Sequence, residues 1–165
     1  MRGRITRMKD RTKPLEQIST CRAIIIWKDK ILLHHRDNKP EIPYPDCWTF
    51  PGGGIEQDET PAEGIVRELI EEAYYSPKSL QYIGYRLNEN RTLTYVFFAF
   101  IGSKEAKLFK RGIEGQGIGF FTLNEIGRLN FPALSDRLLK KYRKVIEESI
   151  KTGKLPSSQS LGLTV

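Results

Sequence analysis

Three glutamates in the middle of the chain have the spacing of a metal-binding helix face. Glu68, Glu71 and Glu72 stand at positions i, i+3 and i+4, which lie on one side of an α-helix. Their carboxylates would repel one another, and carboxylate oxygens are ligands that suit Mg²⁺ and Mn²⁺. Taken alone, such a triplet is more often a solvated acidic surface, so the surrounding residues must decide between the two interpretations.

The residues around the glutamates predict a helix with a well-defined start. Thr60 and Glu63 form a Thr-x-x-Glu capping box, and Pro61 suits the first helical position. The helix is expected to run to about Ala73. Its expected apolar stripe consists of Ala62, Val66, Leu69 and Ala73. We expect this stripe to pack on a sheet, which leaves the three glutamates on another side of the helix.

The wider pattern resembles the signature of a known protein family. The signature positions here are Gly53, Glu59, Arg67, Glu68, Leu69, Glu71 and Glu72. Their spacing is similar to the Nudix box, G-x5-E-x7-R-E-U-x-E-E-x-G-U, in which U is apolar. The one departure is Tyr74, which replaces a glycine that usually ends the helix in a left-handed turn, while Tyr75 fills the last apolar place. Tyr74 therefore predicts a different C-terminal turn.

The resemblance implies a reaction and a set of ligands. Nudix proteins hydrolyse nucleoside diphosphates linked to a further group, with Mg²⁺, or alternatively Mn²⁺, as cofactor. By this resemblance Glu68, Glu71, Glu72 and the Gly53 carbonyl hold the metal, which reverses the local charge for a polyanionic substrate. Arg67 is expected to pair with Glu59 and so to preset the loop and the helix.

Three further site residues come from shorter matches. Glu114 lies between Gly112 and Gly115 and resembles the loop glutamate of MutT-like Nudix proteins, which binds metal or helps to activate water. Either Glu68 or Glu114 is therefore the expected general base. Arg36 follows a predicted strand and is expected near the substrate phosphates, with an ion pair to Asp37 as the alternative. Ser135 falls where MutT-like proteins place an asparagine that reads an oxidised guanine.

The rest of the chain supplies the elements that must position this site. Apolar runs at 21–27 and 31–35, and again at 80–87 and 92–101, predict two β-hairpins, and residues 48–50 predict a short strand. The run at 92–101 is apolar on both faces and requires helices on both sides. The box helix covers one face, and a helix at about 135–151 covers the other. The predicted fold class is α/β, an α/β/α sandwich around a mixed sheet, which the resemblance also implies.

Composition bounds the domain organisation and the location. The 165 residues suit one domain, expected at 19–155, between a basic flexible arm at 1–18 and a polar tail at 156–165. The N-terminal arm carries much of the net charge of +7 and could contact RNA. Cys21 and Cys47 lack metal or redox spacing and are expected as free thiols. Without a secretory signal or membrane segment, a cytoplasmic monomer or homodimer is expected.

The sequence leaves several functions open. The first is a Mg²⁺-dependent pyrophosphohydrolase that uses a nucleoside triphosphate or another nucleoside diphosphate derivative. The alternatives are an RNA 5′-end pyrophosphohydrolase, a hydrolase of nucleotide sugars or dinucleoside polyphosphates, and a Nudix module that senses nucleotides without turnover. The presence of Glu68, Glu71 and Glu72 together argues against the sensing module.

Overall fold

The computed structural model describes residues 18–165, which fold around one mixed sheet. Its six strands are β1 (Ser19–Trp27), β2 (Lys30–His35), β3 (Trp48–Thr49), β4 (Gln81–Leu87), β5 (Leu93–Phe100) and β6 (Gly117–Thr122). The main strand order is β3-β2-β1-β5-β4, and β6 pairs with β2. Both predicted hairpins, β1 with β2 and β4 with β5, are confirmed as antiparallel pairs.

The two most apolar strands lie side by side at the centre of the sheet. β1 and β5 are parallel, in register from Ser19 opposite Leu93 to Ile26 opposite Phe100. Because side chains of a strand alternate between faces, Ala23 and Ile25 of β1 pack in one core cluster and Ile24 in the other. A sheet that is apolar on both faces needs a helical layer on each side.

Helices on both faces complete the predicted α/β/α sandwich. They are α1 (Pro61–Ala73), α2 (Ser103–Ala106), α3 (Leu123–Ile126) and α4 (Ala133–Thr152), followed by a short 3₁₀ turn, Gln159–Leu161. Leu69 of α1 is in the cluster with Ala23 and Ile25. Ile146 of α4 is in the cluster with Ile24. The two short helices were not predicted from the sequence.

The C-terminal residues differ from the polar tail predicted at 156–165. Leu161 is buried in the cluster beneath α4. Tyr85 and Thr164 exchange two backbone hydrogen bonds of 2.7 and 2.9 Å, so the chain end covers part of edge strand β4. The expected boundary at residue 155 is therefore wrong, since the packed structure continues almost to the last residue.

The basic arm predicted for 1–18 lies, apart from Ile18, outside the described residues. Cys21 and Cys47 are both buried free thiols, as predicted. None of the helices between residues 18 and 165 has an apolar stretch long enough to cross a lipid bilayer.

Candidate active site

Helix α1 starts and ends at defined residues, which fixes the register of its glutamates. The capping box is present: the Glu63 amide donates to Thr60 Oγ1 over 3.2 Å, and the Thr60 amide donates to Glu63 Oε2 over 2.8 Å. At the other end Tyr74 takes the left-handed conformation, with φ of 61°, and its amide donates to the Ile70 carbonyl. The expectation of a different turn at Tyr74 is wrong, because tyrosine adopts the turn that glycine usually provides.

The buried face of α1 carries carboxylates as well as apolar side chains. Ile65, Leu69 and Ala73 pack on the sheet, but Glu68 and Glu72 are also buried. Ala62 and Val66, predicted in the buried stripe, are exposed instead. Two adjacent rows of the helix therefore face inward, one apolar and one acidic. The prediction that all three glutamates lie away from the packing face is wrong for Glu68 and Glu72.

Three carboxylates converge at the end of this acidic row. One oxygen each of Glu68, Glu71 and Glu114 lies within 4.8 Å of the others. Glu114 reaches the cluster from the loop before β6, where its amide donates to the Glu71 carbonyl over 3.0 Å. The Gly112 amide donates to the Glu72 carbonyl, and a β-carbon at Gly112 would lie 2.0 Å from the Glu71 carbonyl oxygen. The loop can approach α1 this closely only with glycine at 112.

Arg67 holds the cluster from one side. Its guanidinium donates to both carboxylate oxygens of Glu59, over 2.8 and 3.1 Å, which is the pairing that the resemblance implied. The same guanidinium donates to Glu68 Oε1 and Glu71 Oε2, each over 3.0 Å, and to the Gly54 carbonyl over 2.7 Å. Arg67 lowers the pKa of Glu59. It thus joins the glycine loop to two carboxylates of the helix, a wider role than the sequence predicted.

Glu68 is a buried carboxylate of the cluster whose charged form is disfavoured. Burial, with the nearby charge of Glu72 next, raises its pKa to about 7, against the lowering effect of Arg67. The glycine loop closes over it, since a β-carbon at Gly53 would lie 2.4 Å from Glu68 Oε1. The Gly53 carbonyl, expected as a metal ligand, accepts a hydrogen bond of 2.9 Å from the Cys21 amide and a longer one of 3.7 Å from the Cys21 thiol.

Glu72 stands apart from the three converging carboxylates. Its Oε2 accepts a 2.9 Å hydrogen bond from the Gly52 amide, and its Oε1 lies 3.0 Å from His34 Nδ1. With a relative exposure of 3%, Glu72 is the most buried of the helix glutamates. The predicted ligand set therefore divides into three clustered carboxylates and one carboxylate held by protein groups.

The two predicted substrate contacts, Arg36 and Ser135, make no hydrogen bonds to the three clustered carboxylates in the described part of the chain. Arg36 Nε donates to the Pro43 carbonyl over 3.1 Å, whereas Asp37 pairs with Lys39. The alternative of an Arg36–Asp37 ion pair is therefore not what the structure shows. Ser135 is half-buried in the first turn of α4. Among residues 18–165, neither Arg36 nor Ser135 is hydrogen-bonded to Glu68, Glu71 or Glu114.

His34, the buried neighbour of Glu72, was not among the predicted site residues. The two adjacent histidines point to opposite faces of the sheet: His34 faces α1, whereas His35 stacks on Trp48 with ring centroids 4.6 Å apart. The strand period could have found His34, because it shares the face of Leu32, the side covered by α1.

The donor set fits a hard divalent cation. The three groups are carboxylates, the ligands that Mg²⁺ and Mn²⁺ prefer, and two of them are held by Arg67. Burial and the nearby charge of Glu72 raise the pKa of Glu68, and a bound cation would favour its charged form. Glu68, Glu71 and Glu114 are thus the side chains that would hold a cation here.

Comparison with known proteins gives consistent matches. The family model described as NUDIX domain matches residues 19–145. The chain is 33% identical to an ADP-ribose pyrophosphatase of Methanocaldococcus jannaschii, over 72% of this chain and 69% of that protein. It is 31% identical to an RNA pyrophosphohydrolase of Zymomonas mobilis, over 69% and 68%. A solved NUDIX hydrolase from Nitrosomonas europaea superposes with a TM-score of 0.60 at 26% identity, covering 86% of this chain and 75% of that one.

Proposed function

This chain belongs to the Nudix family of hydrolases, and we propose that it cleaves the phosphoanhydride bond of a nucleoside diphosphate linked to a further group, or of a nucleoside triphosphate. The observation that carries the proposal is the convergence of Glu68, Glu71 and Glu114 within 4.8 Å. Such a cluster repels a diphosphate unless cations intervene. The proposed cofactor is Mg²⁺, with Mn²⁺ as a substitute.

The protein's own contribution is to present these carboxylates in a fixed arrangement. Arg67 donates from Nη1 to Glu68 and Glu71. Its Nε donates to Glu59. Positioning of this kind reduces the reorganisation needed when the reaction occurs. When bound, the cation supplies positive charge that offsets the phosphates and makes a nearby water more acidic.

Glu114 is the proposed acceptor of the water proton. It is exposed on its loop, whereas Glu68 is buried with a relative exposure of 8% and is bonded to Arg67. A general base needs access to the water from which it takes the proton. In this assignment Glu68 and Glu71 mainly hold the cation, while Glu114 contributes both a ligand oxygen and the base.

A substrate panel tests the proposed reaction. The relative named as an ADP-ribose pyrophosphatase makes ADP-ribose the first compound to assay, beside dGTP, 8-oxo-dGTP, nucleotide sugars and dinucleoside polyphosphates. With Mg²⁺, chromatography should show AMP and ribose 5-phosphate from ADP-ribose. Glu71→Gln should lower kcat about a hundredfold or more, whereas Glu148→Gln, an exposed helix position, should leave it unchanged. The proposal fails if no compound is hydrolysed with Mg²⁺ or Mn²⁺.

An RNA 5′ end is a second candidate substrate, favoured by the charge on α4. Helix α4 has six basic and three acidic residues, a net +3, which equals the net charge of all 21 basic and 18 acidic residues of 18–165. Lys140 and Arg143 pair with acids of the same helix. Arg137, Lys141 and Lys144 are exposed, and within the described part of the chain no carboxylate oxygen lies within 4.0 Å of their charged nitrogens. Such a row attracts a phosphate backbone.

A further inference from the structure

His34 lies at the junction between the acidic helix and the loop that carries Glu114. It is buried, with a relative exposure of 3%, at the end of β2 and beneath α1. Its Nδ1 lies 3.0 Å from Glu72 Oε1, and its Nε2 lies 3.4 Å from the backbone carbonyl oxygen of Glu114. Both ring nitrogens therefore face oxygen atoms of the two elements that build the carboxylate cluster.

The contact between His34 Nδ1 and Glu72 Oε1 is close but does not have the geometry of a hydrogen bond. Although the two atoms are 3.0 Å apart, His34 Nδ1 is a buried polar atom that has no hydrogen-bond partner among residues 18–165. A buried polar atom without a hydrogen bond lowers the stability of the folded protein. Proteins often keep a residue that lowers stability in this way where it contributes to a functional site.

The loop packs directly on the imidazole ring. Gly115 has a φ of +80°, and a β-carbon there would lie 1.9 Å from His34 Nε2 and 2.7 Å from the His35 carbonyl oxygen. The next residue continues the contact, because the Gln116 amide donates to the His35 carbonyl over 2.8 Å. The ring therefore sets how closely the loop can approach β2, and hence where Glu114 stands opposite Glu71.

We propose that His34 is a positioning residue that sets the distance between Glu114 and the carboxylates of α1. This role rests on the proposed metal-dependent function and deepens it. A rigid ring with nitrogens on two edges contacts both elements at once. An aliphatic residue of similar size would fill the space, but it would leave the Glu114 carbonyl and the Glu72 carboxylate without their polar neighbour.

Metal binding without substrate tests this role, with Mn²⁺ as the probe and the EPR signal of free Mn²⁺ as the readout. Partner groups that orient metal ligands typically change affinity by about 10–100-fold when removed. His34→Leu should therefore raise the Kd for Mn²⁺ at least about tenfold. His34→Gln, whose amide can still donate toward the Glu114 carbonyl, should bind Mn²⁺ at least about threefold more tightly than His34→Leu.

A double-mutant cycle separates positioning from simple loss of packing. If His34 acts through Glu114, then His34→Leu should raise the Kd for Mn²⁺ less than about threefold in a Glu114→Gln background. Leu139→Ala removes buried contacts on the α4 side of the sheet and should leave Mn²⁺ affinity unchanged at equal folded fraction. Circular dichroism at the assay temperature establishes that fraction for each variant.

The outcomes distinguish this role from the proposed function. A His34→Leu protein that is folded and binds Mn²⁺ within about threefold of wild type overturns the role of His34. The role is also overturned if His34→Leu raises the Kd for Mn²⁺ by the same factor in the wild-type and Glu114→Gln backgrounds. If His34→Leu does not fold, His34→Met, which likewise has no donor for the Glu114 carbonyl, is compared with wild type in both backgrounds by the same criterion. Wild-type protein that binds no Mn²⁺ would overturn the metal-dependent function itself, and this role with it.

Discussion

At the scale of single residues, Glu68 is a carboxylate whose charged form is unfavourable in the folded protein. The carboxylate is buried and close to Glu72, and within the described part of the chain Arg67 is the one cation that touches it. Arg67 itself divides its donors among several acceptors. One shared guanidinium does not offset burial together with neighbouring negative charge, so the pKa of Glu68 is raised to about 7. A divalent cation would supply the missing charge.

The raised pKa predicts how the metal-free protein responds to pH. The folded-state pKa of Glu68 is about 7, against an ordinary value of 4.5, so the folded protein retains a proton that the unfolded chain releases. This contribution to stability is fully present below about pH 4.5 and is lost as pH rises through about 7. In EDTA, the free energy of unfolding should therefore fall across this window, by about 1–3 kcal/mol at most.

Glu68→Gln provides the control for this prediction. The amide has no charge to titrate, so the variant should lack that part of the pH dependence, and urea denaturation at several pH values measures both proteins. Added Mg²⁺ should restore stability to the wild type near neutral pH, since a ligand of the folded state stabilises it. A wild-type curve parallel to that of Glu68→Gln between pH 4.5 and 7 would contradict the explanation.

The sequence predicted most of the candidate residues but not their separate environments. Helical spacing places Glu68, Glu71 and Glu72 on one side, yet it cannot say which of them the sheet buries. In the structure Glu71 meets Glu114, whereas Glu72 meets Gly52 and His34. The contact with His34 joins residues far apart in the chain. Such a contact depends on how α1 sits on the sheet, which local patterns do not specify.

At the scale of elements, α1 ends at a residue that is poorly suited to its conformation. Tyr74 has a φ of 61°, in the left-handed region that residues with a β-carbon seldom adopt. Its side chain is exposed, so little packing offsets this strain. The helix nevertheless ends here because the Tyr74 amide caps the Ile70 carbonyl and the buried face ends at Ala73.

Replacing Tyr74 with glycine should stabilise the protein. Glycine takes the left-handed conformation without the steric cost, which is about 1 kcal/mol for other residues. Its greater freedom in the unfolded chain removes part of the gain. The expected increase in the free energy of unfolding is therefore about 0.5 kcal/mol, measured by urea denaturation. Tyr74→Ala keeps the β-carbon and should give no such increase; equal stability of the two variants would contradict the argument.

Helix boundaries were predictable from local residues, whereas helix orientation was not. Thr60, Pro61 and Glu63 form the predicted cap. The buried face differs from the predicted one because burial on α1 does not follow the apolarity of the side chains alone. The structure instead buries the row of Glu68 and Glu72 beside that of Leu69. A site that needs charge inside the protein breaks the usual rule that helix charges face solvent.

At the scale of the whole molecule, acidic and basic surfaces are separated. The acidic cluster lies on α1 and the Glu114 loop, while α4 covers the other face of the sheet with an excess of basic residues. A small nucleotide would interact mainly with the acidic cluster and its cations. A longer polyanion could also contact α4, so charge reversal on α4 should affect the two kinds of substrate differently.

Reversing the exposed α4 charges tests the RNA candidate. The triple variant Arg137→Glu, Lys141→Glu and Lys144→Glu should weaken binding of 5′-triphosphate RNA and reduce its salt dependence by about 0.7 per lost phosphate contact. Its kcat/KM for ADP-ribose should be unchanged. The control reverses Lys104, Lys107 and Lys110, three exposed lysines near α2, and changes net charge equally. Equal salt dependence in the two triple variants would eliminate α4 as an RNA surface.

The fold as a whole was more predictable than its C-terminal edge. The apolar run of β5 required helices on both faces, and α1 and α4 occupy them. Residues 156–165 are mostly polar or small, which led to the prediction of a tail. Their position depends on Leu161 and on the pairing of Thr164 with Tyr85. One backbone pairing between residues that are far apart in the chain produces no periodic pattern of apolar residues, so the sequence does not reveal it.

The acidic row on the buried face of α1 also bears on how such a protein could evolve or be engineered. Glu68 and Glu72 occupy positions where an uncharged residue would avoid the cost of burying a carboxylate. Selection for thermal resistance alone should therefore enrich neutral substitutions at these two sites, and the survivors should be robust proteins with impaired turnover. Directed-evolution schemes should thus alternate heat challenge with an activity screen. Heat challenge favours neutral residues at positions 68 and 72, whereas the activity screen favours glutamate there.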